Sequence, residues 1–209
     1  TTRDETARLL RAIDGYSGTF VVHCALRLSP MFFVRPGTLR SMEWVDIDFQ
    51  RAEWRIPIEQ LKRRQLDKLA RRGEVAHIVP LCRQALAILQ DLYQLTGKGR
   101  YAFPAIRHKD QCISNNTVRS ALRGMGFTGD DITPHGFRHM ASTHLHELGF
   151  PSHLIEKQLA HSDHNKIRAV YNHAEYLPER KRMMQAWADY LDDLKTGQGE
   201  KVYSFGGVG

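Results

Sequence analysis

Apolar positions follow a helical period along most of this chain and a strict alternation along one short stretch. Ala7, Leu10 and Ile13 recur every three residues and line one face of a helix that Thr2 caps and that Gly15 and Gly18 interrupt. Residues 20–28 are almost continuously apolar, which predicts a second helix, ending near Pro30 and buried on most sides. Arg35-Pro36-Gly37 predicts a tight turn before a short helix over 39–44. The period then changes. Over 47–58, Trp54, Ile56 and Ile58 alternate with Arg55 and Pro57, and a second apolar stretch follows over 76–81. Together they predict two strands joined by a long, basic connection over 62–74.

Helical spacing resumes over 83–95, and Gly97-Lys98-Gly99 ends it. Further helices are predicted over 115–123, 136–148 and 152–159, with Thr133 before Pro134 as the start signal of the middle one. A last helix covers 178–194, with proline in its first turn. Its stripe of Met183, Met184, Trp187, Tyr190 and Leu191 reads as packing on its own domain. The Gly-rich residues 196–209 are expected to form a flexible tail. The pattern as a whole predicts an α+β fold, mostly helical, with one small antiparallel β-sheet.

Composition narrows the function. Apolar residues make up 42% of the 209, enough for a sizeable core, and charged residues 25%. A formal net charge of +7 points to a polyanionic partner, most simply nucleic acid. Cys24, Cys82 and Cys112 are odd in number and far apart, which argues against a disulfide framework or a CxxC zinc site and predicts reduced, mostly buried thiols in a cytosolic protein. No apolar run reaches the ~18 residues of a membrane helix. Thr1-Thr2-Arg3-Asp4-Glu5 is not a secretion signal, and a start without Met leads to the expectation that the chain is a fragment of something longer.

Candidate chemistry gathers in the last third. His135 and Arg138 stand three apart within Thr133-Pro134-His135-Gly136-Phe137-Arg138-His139, which predicts one shared helix face carrying a proton acceptor and a planar cationic fork. His161 follows Leu159-Ala160 at or beyond a helix end, and Tyr171 follows Ala169-Val170, with Tyr176 as a nearby rival. Arg35 lies on the turn after the apolar helix. Taken singly, each has a bland reading: a solvated pair, a dipole-favoured histidine, a core tyrosine, a surface arginine. Together they form a kit for attacking a phosphodiester.

These residues, with Val34-Arg35-Pro36-Gly37-Thr38-Leu39-Arg40-Ser41-Met42-Glu43-Trp44, His77-Ile78-Val79-Pro80-Leu81 and Tyr171-Asn172-His173-Ala174-Glu175-Tyr176, resemble the tyrosine recombinase (phage integrase) family, most closely prophage integrases of the phage P4 type. The resemblance covers about residues 20–191. It implies a catalytic domain over 1–195 that breaks and rejoins DNA through a 3′-phosphotyrosine, preceded in relatives by core-binding and arm-binding domains. Arg35 and Arg138 become the arginine pair, His135 the first histidine, His161 the second histidine position and Tyr171 the nucleophile. Lys62 is the best match for the family's hairpin lysine, with Lys68 on the same connection. Thr38 stands where related sequences often carry Glu. Because relatives often pass a C-terminal segment to a neighbouring subunit, the resemblance implies an exchanged 178–194 helix as the alternative to self-packing. The basic residues Arg63, Arg64, Lys68, Arg71 and Arg72 are expected to hold DNA phosphates.

The resemblance implies no metal, no ATP and no other cofactor. It also implies double-stranded attachment-site DNA as partner, a homotetramer on DNA (a monomer as an isolated domain), a host DNA-bending protein as accessory, no membrane, and a cytoplasmic location at the bacterial nucleoid. Three rivals stand beside it. One is a zinc enzyme using His135, His139 and His144, which lacks an HExxH motif. One is a DNA-binding module of the same fold without activity. The last is a type IB topoisomerase-like relaxing enzyme with the same chemistry.

Overall fold

The computed structural model describes residues 2–61, 76–160 and 176–197. Helix α1, Arg3–Asp14, starts in a full capping box: Thr2 accepts from the Glu5 amide, and the Glu5 carboxylate accepts from the Thr2 amide. Helix α2, Phe20–Phe32, is capped by Thr19 and buries Cys24, Ala25, Leu26, Leu28, Met31 and Phe32. A helix apolar on nearly every side must be surrounded. Accordingly α2 packs against α1 and against five later helices: α3 (Pro36–Arg40), α4 (Arg83–Thr96), α5 (Thr117–Gly124), α6 (Gly136–Glu147) and α8 (Leu177–Thr196). Helix α7, Ser152–Gln158, lies between α6 and α8.

The mostly helical, α+β expectation holds, and several boundaries move. Helix α2 does not stop at Pro30 but runs through it to Phe32. Burial of the residues around Pro30 outweighs the one hydrogen bond that proline forfeits, and the Pro30 carbonyl accepts from the Trp187 indole at 2.9 Å. Helix α3 begins at Pro36 rather than 39, because proline's fixed φ suits the first helical position. It ends at Arg40, and a separate 3₁₀ turn covers Trp44–Asp46.

The alternating stretch 47–58 is two strands, not one. Strand β1 (Ile47–Asp48) and strand β2 (Glu53–Pro57) flank a turn in which Asp48 accepts from the Arg51 amide and Ala52 takes φ 55°. Strand β3, Ala76–Pro80, completes an antiparallel sheet in the order β1-β2-β3, with Trp54 opposite Val79 and Ile56 opposite His77. Those four side chains are buried, and the Trp54 ring lies 5.8 Å from Phe32 of α2.

Helix α8 closes the molecule. Met183, Met184, Trp187, Tyr190 and Leu191 are all buried, and the helix packs against α1 and α2. At its N-terminal end Lys181 reaches Glu53 of β2 at 2.9 Å. Cys24 and Cys82 are free and buried, with thiols raised to about 11 by that burial, and Cys112 is half-buried.

Glu53 yields a stability prediction. Burial pushes its carboxyl up, but hydrogen bonds from Lys181 and Arg55 outweigh that, and its pKa falls below the ordinary 4.5. A depressed folded pKa means that Glu53 contributes stability above the unfolded value and loses it as pH falls through the folded one. Glu53→Gln should cost about 1–2 kcal/mol near neutral pH, since Lys181 and Arg55 remain free to turn towards water. Denaturant melts at pH 7 and pH 3 should show that difference shrinking in acid. An equal difference at both values contradicts it.

Candidate active site

Two backbone turns and one arginine build the cleft. Helix α2 ends at Phe33, which takes the left-handed φ of 40°, and helix α7 is followed by Ala160 at φ 51°. That conformation is unfavourable for a non-glycine residue, so something must hold each turn. Arg138, in the first turn of α6, holds the carbonyls beside both. Its Nη1 donates to the Phe33 oxygen at 2.8 Å and its Nη2 to the Leu159 oxygen at 2.9 Å. Arg35 follows the first turn by two residues. It is extended, as a residue before proline prefers, and immediately precedes α3.

Arg35 and Arg138 line one small cleft with Val34, Thr38, Ile56, Leu61, His77, Gln158, Leu159 and Ala160. No carboxylate stands among these lining residues. Arg138 is only 4% exposed. Burial first, and then the charge of Arg35, lower its pKa to about 10, with Glu156 opposing; it stays cationic at neutral pH. Burial also lowers Arg35. Two cations that each lose hydration and repel one another form a site that an anion stabilises.

Behind them lies a buried polar layer. His77 Nε2 donates to the Gln158 carbonyl at 3.3 Å. Burial, with Arg180, Lys157 and Arg138 adding to it, keeps its pKa well below 6.5, so the ring is neutral. The Gln158 amide donates to the Phe32 carbonyl and accepts from Arg180, which also donates to the Ile78 carbonyl at 2.6 Å. His77, Gln158 and Arg180 are not among the site residues that sequence reasoning singles out. The inward register of His77 in its strand, paired with Ile56, is the signal for that residue; Arg180 sits in a run of charges that reads as solvated.

His135 stands at the edge of α6, with helical backbone angles. Helix α6 begins at Gly136, as the sequence predicts, and the Gly136 amide is capped by Thr133 Oγ1 at 3.0 Å. His135 is the exposed N-cap, its ring 5.2 Å from His139, and Arg138 is turned inward. The structure therefore joins Arg35 to Arg138 in the cleft, and His135 is not among the described lining residues. Lys62, Arg63, Arg64, Lys68, Arg71 and Arg72, and likewise His161 and Tyr171, lie outside the described residues. Leu61 and Ala160, which covalently precede Lys62 and His161, both line the cleft.

The zinc reading loses its third ligand. His144 is buried, bonded to Thr6 Oγ1 at 3.0 Å and stacked on Trp187, whereas His139 is exposed. No group of three metal-ligating side chains occurs among the described residues. No described helix is long and apolar enough to cross a membrane.

Comparison with known proteins finds similarity along most of the chain. The model of the phage integrase family matches residues 1–177. The integrase of Enterobacteria phage P4 is 42% identical over 188 residues, covering 88% of this chain and 43% of that protein. Prophage integrase IntA of Escherichia coli K12 is 34% identical over 194 residues, 93% of this chain and 44% of that one. The chain spans less than half the length of the curated relatives it matches. Two solved structures share its fold: an integrase from mycobacterium phage Brujita, with TM-score 0.64 and 13% identity over 93% of this chain and 62% of that one, and the XerA recombinase, with TM-score 0.59 and 16% identity over 96% and 64%.

The neutral His77 gives a pH prediction. Its folded pKa lies below its unfolded value, so below about pH 6.5 the unfolded chain takes up a proton that the folded chain refuses, and stability falls as pH falls. His77→Gln should flatten the dependence of unfolding free energy on pH between 7 and 5 by up to one proton, about 1.4 kcal/mol per pH unit. An unchanged slope means that His77 is not buried neutral.

Proposed function

The chain belongs to the phage integrase (tyrosine recombinase) family, and from that premise we propose that it carries the DNA-cleaving and rejoining chemistry of a site-specific recombinase acting on attachment-site duplexes. The observation that carries this reading is the cleft. Arg35 and Arg138 share it, and its lining includes the residues that immediately precede Lys62 and His161.

In this reading the scissile phosphate binds between the two guanidinium groups, which meet the extra negative charge of the phosphorane-like transition state with donors already in place. Arg138 enters that state oriented by its two carbonyl partners, so little is lost in ordering it. The Tyr171 oxygen attacks phosphorus and its proton passes to His135. The bond from phosphorus to the 5′ oxygen breaks, and Lys62 protonates the leaving oxygen. His161 donates a hydrogen bond to the phosphate. The 3′-phosphotyrosine bond conserves the energy of the phosphodiester, so a second 5′-hydroxyl reverses the step on a partner strand without ATP. Arg63, Arg64, Lys68, Arg71 and Arg72 hold flanking phosphates, and four protomers act on two duplexes, with a host DNA-bending protein as accessory.

A nicked suicide duplex tests the reading. The intact protein should form a covalent adduct in the presence of EDTA, and peptide mapping should find it on Tyr171. Tyr171→Phe should abolish the adduct and leave DNA affinity within about twofold, whereas Tyr176→Phe should retain it. Adduct loss in the Tyr176 variant alone moves the nucleophile. DNA binding with no adduct on any tyrosine leaves a binding module.

A further inference from the structure

We propose that Arg180 is a positioning residue for strand cleavage, acting on the cleft from behind through Gln158. The inference rests on the recombinase reading above and adds a residue outside the candidate set.

Arg180 lies in the first turn of α8 and is 3% exposed. A buried guanidinium is costly, and it persists where its fork is matched by acceptors. Here the same Nη2 donates to the Ile78 carbonyl of β3 and to the Gln158 side-chain oxygen of α7. Each acceptor belongs to a wall of the cleft. Ile78 follows His77, which lines it, and Gln158 lines it directly. The Gln158 amide passes the contact on to the Phe32 carbonyl, one residue before the left-handed turn that launches Arg35. The Gln158 main-chain oxygen holds His77. One side chain of α8 therefore fixes β3, α7 and, through Gln158, the end of α2.

Connectivity gives this clamp a catalytic consequence. Residues 161–175 carry His161 and Tyr171 and join the end of α7 to the start of α8. Their upstream end is tied to the cleft through Arg138 and the Leu159 carbonyl. Their downstream end is tied to the same wall through Arg180. Holding both ends sets the span that the nucleophile segment must cover, and a shift of about an ångström at such a contact is enough to slow a step that depends on in-line attack. A lysine keeps the charge, but it is shorter and lacks the planar group that aims Nη2 at both oxygens.

The test compares Arg180→Lys, Gln158→Met and the double variant on a suicide duplex, with DNA affinity and melting temperature measured alongside. We expect adduct formation at saturating DNA to slow at least tenfold in each single variant, with DNA affinity within twofold and melting well above the assay temperature. The double variant should be slowed by clearly less than the product of the two single effects, because the changes share the Arg180–Gln158 contact while each also loses one of its own. An unchanged cleavage rate overturns the proposal. So does slowing that merely follows lost affinity or a folded fraction reduced at the assay temperature, and so do effects that multiply in the double variant. A wild-type protein that forms no more adduct than Tyr171→Phe overturns the recombinase reading itself, and is told apart because it fails before any Arg180 variant is compared.

Discussion

Arg138 gives two of its donors to the protein's own backbone, and the geometry of the cleft follows from that. The Phe33 and Leu159 carbonyls each lie two residues upstream of a candidate side chain, Arg35 in one case and His161 in the other. Each sits at a left-handed turn that ends a helix without glycine. A single planar fork thus joins α2, α6 and α7 and pins the two turns at a fixed separation. The cost is a desolvated cation beside another cation, which the uncharged half of the site, a neutral His77 and Gln158, does nothing to worsen. Two cations held this way are complementary to an oxyanion and to little else.

That arrangement needs a rigid back wall, and α2 and α8 supply it. Helix α2 is encased on nearly all sides, so its C-terminal turn cannot drift. Helix α8 locks onto it through the Trp187 indole and the Pro30 carbonyl, and onto the sheet through Lys181 and Glu53. The sheet is small, yet its inward residues Trp54 and Ile56 place His77 beneath the arginines. The fold thus sets buried apolar side chains beneath the two arginines.

Much of this is legible in the sequence where signals are local. Helical periodicity marks the long helices, Thr2 marks its cap, and the Trp54-Ile56-Ile58 alternation marks the sheet. Such signals fail where tertiary burial overrides them. Pro30 reads as a stop but sits inside α2, because the helix is wrapped in core. The stretch 47–58 reads as one strand because a turn held by the Asp48 side chain interrupts it without proline or glycine. The inward turn of Arg138 and the whole of the Gln158–Arg180 contact depend on main-chain oxygens far away in sequence, which no periodicity encodes.

The two backbone bonds of Arg138 also bear on how related genes are read. A degenerate prophage copy that no longer cuts DNA, but whose product must still fold, requires this guanidinium to close its turns. Its survival in a genomic remnant therefore reports an intact scaffold. It says nothing of whether that remnant still works.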